Sequence, residues 1–121
     1  MKRLTLVRHA KSSRKDPSLP DFYRPLSGRG WDEAPEMGRR LAAAGVKPDA
    51  FVSSPANRAW STSQEIASAL GFPAEALRVE ASIYDAEAGA LLRLVRALEP
   101  AWEHVLLVGH NPGLTDLAQL L

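Results

Sequence analysis

The order of apolar and polar positions divides the chain into four short apolar runs, each followed by an amphipathic stretch. Leu4 to Val7 is a run of β-formers that gives way to the polar stretch Arg8 to Asp16 and a stop at Pro17, the pattern of a strand entering a loop. After Pro25, Ser27 supplies a helix N-cap. Trp31, Ala34, Met37, Leu41 and Ala42 then recur at helical spacing as far as Gly45, which suits a left-handed C-terminal cap, with Pro35 as an awkward inclusion near the start of the helix. Ala50 to Ser53 reads as a second strand. Ser54-Pro55 follows as an N-cap and first-turn proline, opening a helix that runs to Leu70 and closes at Gly71. The remaining pattern predicts a strand near Leu77 to Val79, a helix over Ala88 to Leu98, a wholly apolar strand over Val105 to Val108, and a last helix from Pro112 through Leu121.

The order is therefore βαβαβαβα. Strands that read as continuous apolar runs, and not as alternating ones, belong to a parallel sheet covered on both faces, so the expected fold is α/β, a three-layer αβα sandwich around a mainly parallel sheet. With 121 residues and 45% hydrophobic composition, the chain can bury one core and is short for two domains, so 1–121 is read as a single domain. No internal repeat, low-complexity segment or linker interrupts it. The chain stops inside an apolar helix without a cap, and the natural polypeptide or its family pattern is expected to continue.

Composition narrows the function. Fifteen basic and fourteen acidic residues leave a net charge of +1, which removes the usual electrostatic footprint of a nucleic-acid or anionic-membrane binder. The absence of cysteine excludes disulfides, thiolate metal sites and a cysteine nucleophile, and is compatible with a reducing compartment. Met1-Lys2-Arg3 and the four strand-like residues before Arg8 form no apolar stretch long enough for a signal peptide or membrane span. A cytoplasmic protein with no nucleic-acid or membrane partner is expected.

In parallel α/β sheets, ligands bind outside the carboxyl ends of the strands. Arg8-His9 follows the first strand, Arg58 falls in the first turn of the helix after the second, and Gly109-His110 follows the strand Val105 to Val108. Two arginines and two histidines thus converge on one rim. Arg58 opposes the helix dipole, and a bound anion reconciles the conflict, since a guanidinium fork and free backbone N–H groups together seat a phosphate. A histidine with a pKa near about 6.5 is largely neutral at pH 7 and can attack phosphorus without a base. His9 is placed for this by the strand before it, Arg8 beside it can neutralise phosphoryl oxygens, and His110 can donate to the same group. His104, at the other end of its strand, is given no role. No i, i+4 ligand pair surrounds the histidines, so no metal and no cofactor is expected.

Four ordered blocks, Leu6-Val7-Arg8-His9-Ala10-Lys11-Ser12, Asp21-Phe22-Tyr23-Arg24-Pro25-Leu26-Ser27, Ser53-Ser54-Pro55-Ala56-Asn57-Arg58-Ala59 and Val108-Gly109-His110-Asn111-Pro112-Gly113, resemble the histidine phosphatase superfamily over essentially the whole chain, in particular its SixA-like phosphohistidine phosphatase branch. The resemblance implies a phosphoglycerate-mutase-like fold. It also implies that His9 is the phosphorylated nucleophile, that Arg8 and Arg58 bind phosphate, and that His110 stabilises the transferring group. Ser12 joins Arg8 and Arg58 as an expected substrate-binding residue. Asp21 matches the acidic residue proposed as proton donor in this branch; on its own chemistry it reads equally as a turn or capping aspartate, with Asp16 as a substitute. The mutase branch carries Arg-His-Gly-Glu and a glutamate acid on a mid-chain insertion. Here Ala10-Lys11 follows His9, the segment from Leu70 to Leu91 is short, and Glu80 and Glu87 are the nearest equivalents. The family also continues past the last helix seen here. The implied activity is hydrolysis of a phosphorylated protein carrying phosphohistidine. The alternatives are a phosphatase of small phosphate esters and a catalytically silent phosphate-binding module.

Overall fold

The computed structural model describes residues 3–121; Met1 and Lys2, which belong to the N-terminal stretch read above, lie outside the described residues. Strand β1 (Arg3–Arg8) is followed by helix α1 (Gly28–Ala43), β2 (Ala50–Ser53), α2 (Asn57–Leu70), β3 (Arg78–Val79), α3 (Ala88–Ala97), β4 (His104–Gly109) and α4 (Gly113–Leu120). Short 3-10 turns occupy Asp21–Tyr23, Ala74–Ala76 and Ala81–Ile83. The sheet order is β1-β4-β2-β3 and every pairing is parallel.

All residues of β2 and β4 are buried, as their unbroken apolar sequences require. Their side chains alternate between two cores. Val105 and Leu107 of β4 join Ala50 and Val52 of β2 against Leu91 and Val95 of α3 and Leu114 and Leu117 of α4. Leu106 and Val108 join Val7 and Phe51 against Ala59, Ile66 and Ala67 of α2, with Met37 and Leu41 of α1 alongside. The three-layer αβα arrangement follows, and each fully buried large side chain contributes about 1.5–3 kcal/mol. No helix among the described residues is long and apolar enough to cross a membrane.

The boundaries shift by a residue or two from the sequence reading, and four local expectations are corrected. Trp31 is 46% exposed and Ala42 is also exposed, because the inward stripe of α1 is centred on Ala34, Met37, Gly38 and Leu41 and leaves those two on its shoulder. Pro35 lies well inside α1, whose helix continues through it. Strand β3 is only two residues long and exposed at the sheet edge, with Leu77 taken up by the preceding 3-10 turn. Ser54 does not cap α2: that helix starts at Asn57 after Ala56, without a side-chain cap. Ser27 does cap α1, its Oγ accepting the Gly30 N–H at 3.0 Å. Gly45 and Gly71 close their helices at φ +78° and +69°.

The contact between α1 and α2 sets how closely the first loop approaches the second helix. A Cβ at Gly38 would stand 2.6 Å from the Ala69 Cβ. Gly38→Val should therefore destabilise the fold by about 1–3 kcal/mol in urea unfolding. Gly28→Ala, where a Cβ meets nothing within 4 Å, should stay within about 0.5 kcal/mol of wild type. Equal tolerance at both positions would show that the helices do not touch as described.

Candidate active site

Strands β1, β4 and β2 lie side by side, so the residues that leave their carboxyl ends meet. His9 is the first residue after β1, and its backbone N–H donates to the Gly109 carbonyl at 3.1 Å, fastening it to β4. Its Nδ1 is 2.7 Å from the Ala10 carbonyl. A carbonyl only accepts, so Nδ1 carries the proton and Nε2 is left bare. That bare nitrogen accepts the Arg58 Nε–H at 3.3 Å. Burial, and then the cations of Arg58, Arg8 and Arg24, lower the His9 pKa against the opposing pull of the Ala10 carbonyl. His9 is therefore a neutral imidazole with its nucleophilic nitrogen facing a guanidinium.

Arg58, in the first turn of α2, is only 6% exposed. Its Nη1 donates to the Asp21 carbonyl at 2.7 Å and its Nη2 to Asp21 Oδ2 at 3.0 Å. Asp21 also accepts the Tyr84 hydroxyl on Oδ2 at 2.7 Å and Arg24 Nε on Oδ1 at 3.0 Å. The Tyr84 bond, followed by those of Arg58 and Arg24, holds the Asp21 carboxyl far below the usual carboxylate range. Asp21 is in the site, ionised and surrounded by donors. It is also the anion that the dipole conflict at Arg58 called for.

His110 follows β4, with its ring centroid 5.0 Å from that of His9. Its Nε2 lies 2.8 Å from Ser54 Oγ, which also accepts the Ala56 N–H at 3.3 Å. Ser54 is drawn away from capping by this pair of bonds. Burial, and then the neighbouring His9 and Arg58, push the His110 pKa down to about 4, so it too is neutral at pH 7. Its Nδ1 is buried without a hydrogen-bond partner.

The other expected residues divide. Arg8 is exposed at the end of β1 and lines a cleft of ≈ 580 Å³ with His9, Lys11 and Ser12. Ser12 is less free than expected, because its Oγ accepts Arg24 Nη1 at 2.8 Å. Asp16 is exposed, and its carboxylate accepts the Ser18 N–H and hydroxyl. Glu80 lines a different groove, whereas Glu87 lines a cleft of ≈ 660 Å³ that contains Arg58, Tyr84 and His110. His104 pairs with Thr5 Oγ1 at 2.7 Å at the opposite end of the sheet. Three participants carried no role in the sequence reading. Arg24 is spaced three residues from Asp21, which was a usable signal; Tyr84 is distant in sequence and had none. Thr62 stands one turn after Arg58, accepting the Ala10 N–H at 3.0 Å and donating to the Arg58 carbonyl at 2.7 Å. Among the described residues no group of three or more His, Asp or Glu is placed to hold a metal ion.

A bare imidazole nitrogen against a buried guanidinium, with a neutral second imidazole opposite, is built to accept a phosphoryl group and cradle its oxygens. The family profile described as Histidine phosphatase superfamily (branch 1) matches residues 4–104, and the chain belongs to that superfamily. His110 lies beyond the matched residues, so its part in the site rests on the geometry. A candidate phosphohistidine phosphatase SixA from Agrobacterium tumefaciens shares 31% identity at a TM-score of 0.89, covering 98% of this chain and 76% of that one. A protein histidine phosphatase SixA complexed with tungstate shares 26% identity at a TM-score of 0.84, covering 95% and 73%. An uncharacterized chloroplastic protein of Arabidopsis thaliana is 30% identical over 99% of this chain, which spans 59% of the length of that relative. The fold is the phosphoglycerate-mutase-like α/β fold expected from the sequence.

The depressed pKa of His110 has a consequence for stability. The unfolded chain protonates this imidazole near 6.5 while the folded one resists until about 4, so stability should fall as pH drops through that window. Urea midpoints measured from pH 7.5 to 4.5 should show a shallower acid decline for His110→Asn than for wild type. Parallel declines would show that His110 is not desolvated.

Proposed function

We propose that the chain hydrolyses phosphohistidine on a protein substrate through a covalent intermediate on His9, in the cytoplasm. The Nε2 lone pair of His9 attacks phosphorus in line, and the P–N bond of the substrate breaks on the opposite side. Arg8, Arg58 and His110 hold the phosphoryl oxygens. Water then attacks the phosphorus of phospho-His9, releasing inorganic phosphate and regenerating the imidazole. The guanidinium groups supply the positive charge throughout, and no metal or cofactor enters a step.

One observation carries the choice of substrate: the Asp21 carboxylate accepts hydrogen bonds from Tyr84, Arg58 and Arg24. With His110 also neutral, the site holds no poised acid at pH 7. An alkoxide leaving group needs a proton in the transition state, whereas a phosphohistidine already protonated on its second ring nitrogen departs as neutral imidazole. The cleft of ≈ 660 Å³ beside His110 favours the second reading, a phosphatase of small phosphate esters, because that volume suits a metabolite. Comparing release of phosphate from a phosphohistidine protein and from sugar phosphates separates the two. A silent phosphate-binding module would bind without release, and the unprotonated Nε2 of His9, held only by the long 3.3 Å bond from Arg58 Nε, argues against it.

His9→Ala should abolish turnover while leaving the unfolding midpoint near that of wild type, since His9 stands outside both cores. Residual activity within tenfold of wild type would remove the nucleophile assignment. Asp21→Asn should slow phosphohistidine, aryl and alkyl phosphates by a similar factor, because it loosens Arg58 for all of them. A loss confined to alkyl phosphates, of the order of 100-fold or more, would instead make Asp21 a proton donor.

A further inference from the structure

Resting on the phosphohistidine reading above, we propose that the cleft on the Arg8 side of His9 docks an acidic flank of the phosphorylated polypeptide, while the carboxylate-lined cleft on the His110 side fixes the direction in which that polypeptide crosses the site. The chain as a whole is nearly neutral, with a net charge of +1. Its charges are nevertheless sorted on either side of the histidine pair. The Arg8-side cleft is lined by Arg8, Lys11, Arg14 and Arg29 against the single carboxylate of Glu33. The His110-side cleft is lined by Asp21, Asp85, Glu87 and Asp116 against the single guanidinium of Arg58.

The cations of the first cleft are uncommitted. Lys11 and Arg14 are exposed and make no side-chain hydrogen bond or ion pair among the described residues, and Arg29 approaches Glu33 only at 3.8 Å with its side chain 74% exposed. By contrast, Arg24 and Arg58 are bonded to Asp21, and Arg39 and Arg40 to Glu36. A phosphoryl group at His9 calls on Arg8 and Arg58; of the three remaining cations, Lys11 and Arg14 carry no partner among the described residues and Arg29 only the distant Glu33, so all three are open to an anionic segment. Glu33 Oε1 is buried in the same wall without a hydrogen-bond donor, and a main-chain N–H of a docked segment would supply one.

Size and polarity indicate a polypeptide. A small phosphate ester fills one cleft, whereas a ligand using both must span volumes of ≈ 660 and ≈ 580 Å³ with opposite charges at its two ends. Like charges placed across such a surface are disfavoured, so a segment with an acidic flank on one side of its phosphohistidine has one productive direction.

The test is direct binding, which does not depend on turnover. Fluorescent peptides carry a non-hydrolysable triazole phosphonate analogue of phosphohistidine, with an acidic then a basic flank, the same flanks in reverse order, or uncharged flanks. At low salt one of the two polarised peptides should bind about tenfold more tightly than its reverse, the cumulative effect of about three exposed ion pairs, and the preference should collapse at high salt. The Lys11→Glu, Arg14→Glu, Arg29→Glu triple variant should lose the preference while hydrolysing an aryl phosphate within about twofold of wild type. Equal affinity of wild type for the two flank orders overturns the proposal whatever the variant does. Failure of wild type to release phosphate from any phosphohistidine or aryl substrate overturns the catalytic reading, and is read separately.

Discussion

A guanidinium that is almost wholly removed from water must be matched by an anion and have its N–H groups satisfied, or the fold bears a large desolvation penalty. Arg58 meets that demand with one neighbour. Asp21 offers both its carbonyl and its carboxylate, which obliges the long connection after β1 to fold back over the start of α2. Once Asp21 is there, Arg24 and Tyr84 gather on its remaining lone pairs, and through Arg24 the hydroxyl of Ser12 is drawn in. The Nε–H of Arg58 is left for His9. One buried charge thus organises residues from four separate segments of the chain.

The same arrangement explains why both histidines are neutral. Each sits among cations that penalise a second positive charge, and each is partly desolvated. The result is a site rich in fixed positive charge and poor in mobile protons. That balance is set by the surroundings of the imidazoles and not by the imidazoles themselves.

The sequence made legible whatever depends on periodicity or on position relative to a strand end. The layer order, the parallel sheet and the convergence of Arg8, His9, Arg58 and His110 on one rim all follow from four apolar runs and what comes directly after them. What stayed hidden depends on side chains meeting across the fold. Ser54 looks like a cap in the chain and becomes a partner of His110 in space, because a serine hydroxyl serves either end equally well. Tyr84 reaches Asp21 across 63 positions, a separation that no local pattern encodes. The weak third strand was misjudged in length because its only support is an edge pairing of two residues.

Ala10 is an unremarked residue between the nucleophile and the loop, yet both of its peptide groups are engaged: its N–H by Thr62 and its carbonyl by the His9 ring. In many sites the group that orients a histidine is a side chain, and one point mutation can remove it. Here the orienting acceptor is a main-chain oxygen, which every amino acid possesses. No single-codon change at position 10 can delete it, although the 4% exposure of Ala10 limits what else will fit. The tautomer of His9 is in this sense inherited with the path of the backbone. It can be lost only by re-routing the chain, which gives the orientation of the His9 ring a mutational robustness that the side-chain contacts of the site lack.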